Sequence, residues 1–210
     1  MKLVFASNNA HKLAEVRAIM PAGIEVLSLH EVGFEQEIEE TGVTLEENSL
    51  IKASTVAAFI SRQHSDFSLQ IDGVFADDTG LEIDALDGKP GVYTARWYLA
   101  DGERQKANGE QEIFAANRAK ALRELEGKTD RSAQFRTVIT LIKANGERLV
   151  VSGIVRGRIA TEEYGEGGFG YDPVFIPEGY EKTFGELPAE IKNSISHRSR
   201  ALAKLAEILQ

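Results

Sequence analysis

Gly168-Phe169-Gly170-Tyr171-Asp172-Pro173, followed after a short interval by Lys192 and Ser196-His197-Arg198, joins a ring face to a set of polar edges. A glycine-flanked aromatic offers a surface against which a nucleobase can lie. The carboxylate of Asp172 accepts hydrogen bonds, and Lys192, His197 and Arg198 donate them. Reading a flat heterocycle by its edge needs that mixture of a stacking face and fixed polar groups. For any one of these residues a surface turn followed by an ordinary helix is explanation enough; two polar clusters upstream argue for the set.

The first of these is Ser7-Asn8-Asn9 with Lys12. Placed between a strand and a helix, small polar residues sit at a helix N-terminus, where unpaired amides and the macrodipole favour an anion, and Lys12 adds a point charge. Ser and Asn are also ordinary caps. The second cluster is acidic: Glu39-Glu40 before Thr41-Gly42, and Asp77-Asp78 before Thr79-Gly80, at the end of an apolar run. Neighbouring carboxylates repel and need a compensating cation. Magnesium favours carboxylate and phosphate oxygens and keeps several waters, and a water deprotonated by a nearby aspartate is a nucleophile for phosphate chemistry. A solvated turn is explanation enough for Glu39, whereas the setting of Asp78 between a strand end and Thr79-Gly80 points to function. Asn48 and Lys52 lie four apart and share a helix face, and Lys89 falls in the glycine-rich turn after the acidic elbow. Both lysines can bring positive charge to a triphosphate, and both can equally be solvated.

Short elements must hold these groups. Leu3–Ala6 reads as a buried strand, with a helix from Leu13 to Met20 stopped near Pro21, the opening unit of an α/β fold. Ile24–Leu29 is a second strand candidate. Thr44-Leu45-Glu46-Glu47 is a capping box that opens a helix through Lys52 to about Ile60. Val74–Ala76 and the alternating Leu81–Ala85 read as strands on either side of the acidic elbow, with Gly88–Gly91 a turn and Asp101–Gly109 a surface loop. Ile113–Leu125 is helical in pattern. Phe135–Lys143 and Glu147–Arg156, joined through Asn145-Gly146, form the clearest hairpin, and Ser196–Leu209 reads as a helix capped by Ser196.

The chain has 210 residues, 42% of them hydrophobic, enough for one large domain or two closely joined lobes. A net charge of −9 argues against nucleic acid or an anionic membrane surface as the main partner, without excluding a nucleotide held in a local basic pocket. The absence of cysteine removes disulfides, thiolate zinc sites and cysteine nucleophiles together. The apolar run Leu3–Ala6 is too short for a signal peptide and no later stretch is long enough to span a bilayer, so a soluble cytoplasmic protein is expected. Two near-motifs fail. Gly127-Lys128-Thr129 mimics the end of a phosphate-binding P-loop, but Leu122 stands where the first glycine is required. Arg123-Glu124-Leu125 resembles the core of a Nudix box, but Ala115 occupies the upstream glutamate position and Gly127-Lys128 replaces the paired glutamates.

Taken together the segments resemble the Ham1/RdgB family of inosine triphosphate pyrophosphatases. The matches are Ser7–Lys12, Glu40-Thr41-Gly42 with Glu47-Asn48 and Lys52, Asp77–Leu81, Gly88–Tyr93, Gly168–Pro173 and Lys192–Arg198. They run in family order over nearly the whole chain. The resemblance implies an α/β fold of two lobes around a long mixed β-sheet with flanking helices, residues 1–210 forming a single domain with the nucleotide in a cleft between the lobes, commonly as a homodimer. It implies a magnesium-dependent enzyme that cleaves non-standard purine nucleoside triphosphates (dITP, ITP, XTP) to monophosphate and pyrophosphate. By motif, Asp78 is the general base and a magnesium ligand and Glu40 the other metal carboxylate. Ser7, Asn8, Asn9, Lys12, Lys52, Thr79 and Lys89 fall to the substrate's phosphate side. Phe169, Gly170, Tyr171, Asp172, Lys192, His197 and Arg198 fall to its base. Thr79 stands where many members carry serine, Ser7-Asn8 replaces the commoner Thr-Gly, and residues 97–130 match least. A Maf-type pyrophosphatase of different base preference and a non-hydrolytic nucleotide sensor are the rival readings. Phe169–Pro173 and Ser196–Arg198 speak against the first, and the intact acidic set Glu40, Asp77 and Asp78 against the second.

Overall fold

The computed structural model describes residues 1–62, 70–101 and 109–209. Its first strand, β1 (Lys2–Phe5), is almost uninterrupted in apolar character, as a strand covered on both faces must be. Helix α1 (Ala10–Ile19) starts at Asn9, whose Oδ1 accepts the Lys12 amide at 2.9 Å. It ends at Ile19 with Met20 as its cap before Pro21, and β2 (Glu25–Leu27) follows. Helix α2 (Leu45–Arg62) is opened by the predicted capping box, closed in both directions: Thr44 Oγ1 accepts the Glu47 amide at 3.1 Å, and Glu47 Oε2 accepts the Thr44 amide at 3.2 Å. Next come β3 (Gly73–Ile83), β4 (Lys89–Gly91), α3 (Glu110–Glu124), β5 (Ser132–Lys143), β6 (Arg148–Ile159), β7 (Phe175–Pro177), α4 (Ala189–Ile195) and α5 (His197–Leu209).

The strands form one mixed sheet in the order β2-β1-β3-β5-β6-β7, with β4 added to β3. β1 runs parallel to β2 and β3, while β4 and β7 pair antiparallel with β3 and β6. The fold is α/β with a mixed sheet, as expected. The chain divides into two compact units: Met1–Asp78, Thr137–Gly153 and His197–Gln210 in the first, Thr79–Arg136 and Ile154–Ser196 in the second.

In the first unit the period-two alternation of strand side chains sorts the core into two layers. Leu3, Phe5 and Phe75 pack with Val16 of α1 and Leu202 and Leu205 of α5. Val4, Ala6, Val74 and Ala76 pack with Ala53 and Val56 of α2. The second unit has its own core, in which Leu81, Ile83, Phe135, Phe175 and Phe184 meet Trp97 and Leu125.

Two expectations need correction. No elbow interrupts the acidic segment: Asp77-Asp78-Thr79-Gly80 lies inside the single eleven-residue strand β3. Extended backbone points the two carboxylates to opposite faces, where each meets its own cation, so the repulsion that would break the strand does not arise. Lys89-Pro90-Gly91 is a strand against Leu81–Ile83; the turn before it is made by Asp87 and Gly88, both at positive φ. The helix expected over Ser196–Leu209 is present as α5, with Ser196 extended just before it, whereas α4 was not foreseen. β7 was not foreseen, its Phe-Ile-Pro run being too short to show a period. The expected loop at Asp101–Gly109 falls, over 102–108, outside the described residues. Among those residues no helix is long and apolar enough to cross a membrane.

Candidate active site

Alternation along β3 sets the electrostatics of the first unit. Phe75 and Asp77 face α1 and α5; Ala76 and Asp78 face α2. Asp77 Oδ1 accepts Lys12 Nζ at 3.0 Å, and its Oδ2 accepts both Nε and Nη2 of Arg198 at 3.1 Å. Arg198 Nη1 in turn bonds Glu15 on α1. On the other face, Asp78 Oδ1 accepts Lys52 Nζ at 2.9 Å, and the same ammonium donates to Glu40 Oε1 at 3.1 Å. Asn48 Nδ2 reaches Asp78 Oδ2 at 3.4 Å, while its Oδ1 accepts the Gly42 amide at 2.8 Å and so fastens the segment carrying Glu40 to the start of α2.

The two aspartates differ chemically as a result. Burial works against the Asp77 carboxylate, but Lys12, Arg198 and Lys52 outweigh it and hold the group below the usual carboxylate range. Burial also dominates at Asp78; Lys52 and Lys12 oppose it without cancelling it, and the carboxyl is pushed upward. A carboxylate whose proton affinity is raised is the better general base of the pair. Burial disfavours charge on Lys52 too, yet the Asp78, Glu40 and Asp77 carboxylates raise its pKa. Burial prevails at Lys12, whose pKa is lowered against the pull of Asp77.

Glu40, one-third exposed, and the almost buried Asp78 turn oxygens toward one cation, the Lys52 ammonium. Two converging carboxylates form a donor set suited to a hard divalent ion, which commonly takes one or two carboxylates plus phosphate oxygens. Among the described residues no group of three or more His, Cys, Asp or Glu forms a ready-made metal site. Ser7, Asn8 and Asn9 lie at the N-terminus of α1, Asn8 exposed and the other two half-buried; Ser7 Oγ accepts the Asn9 amide at 3.2 Å.

The second unit holds the aromatic loop. Gly168 and Gly170, at φ 71° and 63°, flank a half-buried Phe169. Asp172 Oδ2 accepts the Phe169 amide at 2.7 Å and Lys192 Nζ at 2.6 Å, and the Lys192 ammonium stands 4.8 Å from the centre of the Phe169 ring. A Cβ at Gly168 would run into the Asp172 carboxylate, so that glycine is demanded by space as well as by φ. Tyr171 is buried and donates its hydroxyl to Thr94 O at 3.1 Å. Burial raises its pKa. Thr79 is half-buried on β3, and Lys89 is exposed at the first position of β4.

The predicted residues thus fall in two places. Lys12, Glu40, Asn48, Lys52, Asp78 and Arg198 are gathered in the first unit, with His197 buried at the start of α5. Phe169, Gly170, Tyr171, Asp172 and Lys192 are gathered in the second. Arg198 makes its named hydrogen bonds to the first unit's carboxylates. Sequence reasoning missed Glu15 as a partner of Arg198, although its position three residues after Lys12 puts both on one face of α1. It also missed Phe114 and Arg118 of α3, four apart, which contact the aromatic loop.

A profile of the Ham1 family matches residues 3–208. A dITP/XTP pyrophosphatase of Flavobacterium johnsoniae is 44% identical over 209 residues, covering 100% of this chain and 98% of that one. The dITP/XTP pyrophosphatase of Bacillus subtilis is 43% identical over 210 residues, covering 99% of this chain and 96% of its own. Among solved structures, the Staphylococcus aureus Ham1 protein superposes with a TM-score of 0.80 at 38% identity, covering 100% of this chain and 98% of that one.

Proposed function

Because the chain belongs to the Ham1 family, we propose that it hydrolyses non-standard purine nucleoside triphosphates (dITP, ITP and XTP) to the monophosphate and pyrophosphate, removing them from the nucleotide pool. The observation that carries this reading is the arrangement on β3: a buried carboxyl with raised proton affinity, hydrogen-bonded to a lysine that a second carboxylate shares.

Asp78 is the general base, taking a proton from the water that attacks the α-phosphorus. Lys52, already charged and oriented by two carboxylates, turns to phosphate oxygens as negative charge develops on them; Lys12 and the N-terminus of α1 with Ser7, Asn8 and Asn9 do the same for the rest of the triphosphate. Thr79 and Lys89 are assigned to the same end of the substrate. Glu40 and Asp78 would hold Mg2+, which when bound neutralises phosphate charge and polarises the scissile group. Phe169, with Gly170 and Tyr171 shaping its loop, supplies the stacking face, and Lys192, His197 and Arg198 the donors toward the purine 6-oxygen, Asp172 fixing the loop and the lysine together. Adenine presents an amino group at that position, so donor meets donor. The whole chain acts as one catalytic domain. The reading extends to a cytoplasmic homodimer that binds neither nucleic acid nor membrane, in keeping with the net charge of −9.

Product analysis tests it. Inosine triphosphate with magnesium should yield monophosphate and pyrophosphate, and excess chelator should stop the reaction. Release of orthophosphate with the diphosphate left behind, or full activity in chelator, overturns the proposal.

A further inference from the structure

The aromatic loop has a support on α3 that the proposed reaction does not use. Two glycines in left-handed conformation surround Phe169, and glycine enters and leaves that region at little cost, so the loop's own backbone does not fix where the ring points. Two constraints act from within the loop and from α4: Asp172 on the Phe169 amide, and Lys192 over the ring. A third comes from α3. Arg118 Nη1 donates to Gly170 O at 2.9 Å, on the far side of Phe169 from Gly168, and its Nε lies 3.0 Å from Glu163 Oε1. One turn earlier, Phe114 packs on Phe169 with ring centres 6.2 Å apart at 43°. The spacing of four puts both side chains on one helix face. The arginine side chain is 14% exposed, so its bond to the Gly170 carbonyl is shielded from water, whereas Glu163, 41% exposed, meets it only as an ion pair without an aligned hydrogen bond.

We propose that Arg118, aided by Phe114 and steered by Glu163, is a positioning residue for base recognition: it pins the Gly170 carbonyl and thereby sets the plane of the Phe169 ring. Bonds from a charged donor exceed ordinary neutral ones in strength, and a planar guanidinium can hold a carbonyl and a carboxylate together. The inference rests on Phe169 being the surface on which the purine stacks. A residue acting this way changes how well the base is held, while the β3 carboxylates and lysines keep the chemical step.

The test uses the full chain carrying Arg118→Ala, Phe169→Ala or both, each checked for folding by circular dichroism, with KM and kcat for inosine triphosphate in magnesium. Arg118→Ala should raise KM about tenfold with kcat nearly unchanged. In the Phe169→Ala background the same substitution should add less than about twofold, because the ring it orients is gone. A fall in kcat with KM unchanged, or full additivity of the two substitutions, overturns the inference. If Phe169→Ala raises KM and Arg118→Ala does not, positioning by Arg118 alone is refuted. If Phe169→Ala itself leaves KM unchanged, the stacking surface is refuted and the support with it. Should Arg118→Ala not fold, Arg118→Gln carries the same measurements and the same thresholds.

Discussion

The two polar clusters bury charge by different means. In the first unit the ionic contacts of the two β3 aspartates are long-range and span regular elements: Asp77 reaches Lys12 across 65 residues and Arg198 across 121, and Asp78 reaches Lys52 across 26. In the second unit the buried carboxylate serves its own loop first, Asp172 accepting an amide three residues back and a lysine twenty residues on. Strands and helices place the first set through the packed sheet; glycine conformations and a local carboxylate shape the second. A cluster of the first kind is as rigid as the core around it, whereas a cluster of the second kind is adjustable one residue at a time. Chemistry that must place a proton acceptor belongs on the former, and selectivity among bases that differ by one exocyclic group can be tuned on the latter.

The largest expected effect separates the neighbours on β3. Asp78→Asn should lower kcat by roughly 10²–10⁴ with the fold intact by circular dichroism, since an amide cannot take the proton. Retention of more than about a tenth of the rate removes Asp78 from the role of base. Asp77→Asn should instead unfold the protein more easily, by about 3–5 kcal/mol in urea titrations, because Lys12 and Arg198 lose their shared buried carboxylate. The pH dependence has a definite sign. Asp77 is held below its ordinary value, so the stability it contributes is complete above the usual range near 3.9 and is lost as pH falls through the folded-state value. The asparagine variant should therefore show a shallower acid limb, and an unchanged limb would assign acid unfolding to other carboxylates.

A smaller effect asks which cluster Arg198 serves. Arg198→Ala should lower kcat/KM for inosine triphosphate more than for adenosine triphosphate, narrowing the ratio by about one to two orders of magnitude. An equal loss on both substrates would assign the residue wholly to holding Asp77. Smallest is Thr44→Ala, which should cost about 1 kcal/mol of stability through the capping box at the head of α2 and leave selectivity untouched. A selectivity change there would show that the two clusters are not separable.

Much of the first unit could be read from sequence because its signals are local: the Asn9 cap, the reciprocal Thr44–Glu47 box, and the four-residue step from Asn48 to Lys52. The Asn145-Gly146 hairpin was equally plain, Gly146 taking φ 85° in the turn. The unity of β3 was not, because charged residues in mid-strand read as a break unless the distant cations that neutralise them are known. Glu15, Arg118 and Phe114 escaped for the related reason that a helix surface residue does not reveal which loop will lie over it. The aromatic loop's residue types were legible, but the pairing of Asp172 with its own amide and with Lys192 depends on backbone angles that spacing does not supply.

On the proposed assignment of Asp78, the placement of Asp77 and Asp78 on opposite faces also makes strand register a condition of activity. β1 holds β3 through Leu3↔Gly73, Val4↔Val74 and Phe5↔Phe75, and at Gly73 an added Cβ would stand 3.0 Å from the Ile142 carbonyl. Sliding β3 by one residue would turn Asp78 to the face of Arg198 and Lys12 and present Lys52 with Thr79 in place of its carboxylate. Such a slipped chain would keep its composition, its charge and nearly all of its secondary structure while losing its chemistry. Correct pairing of β1 with β3 during folding is therefore itself a step in assembling the proposed site.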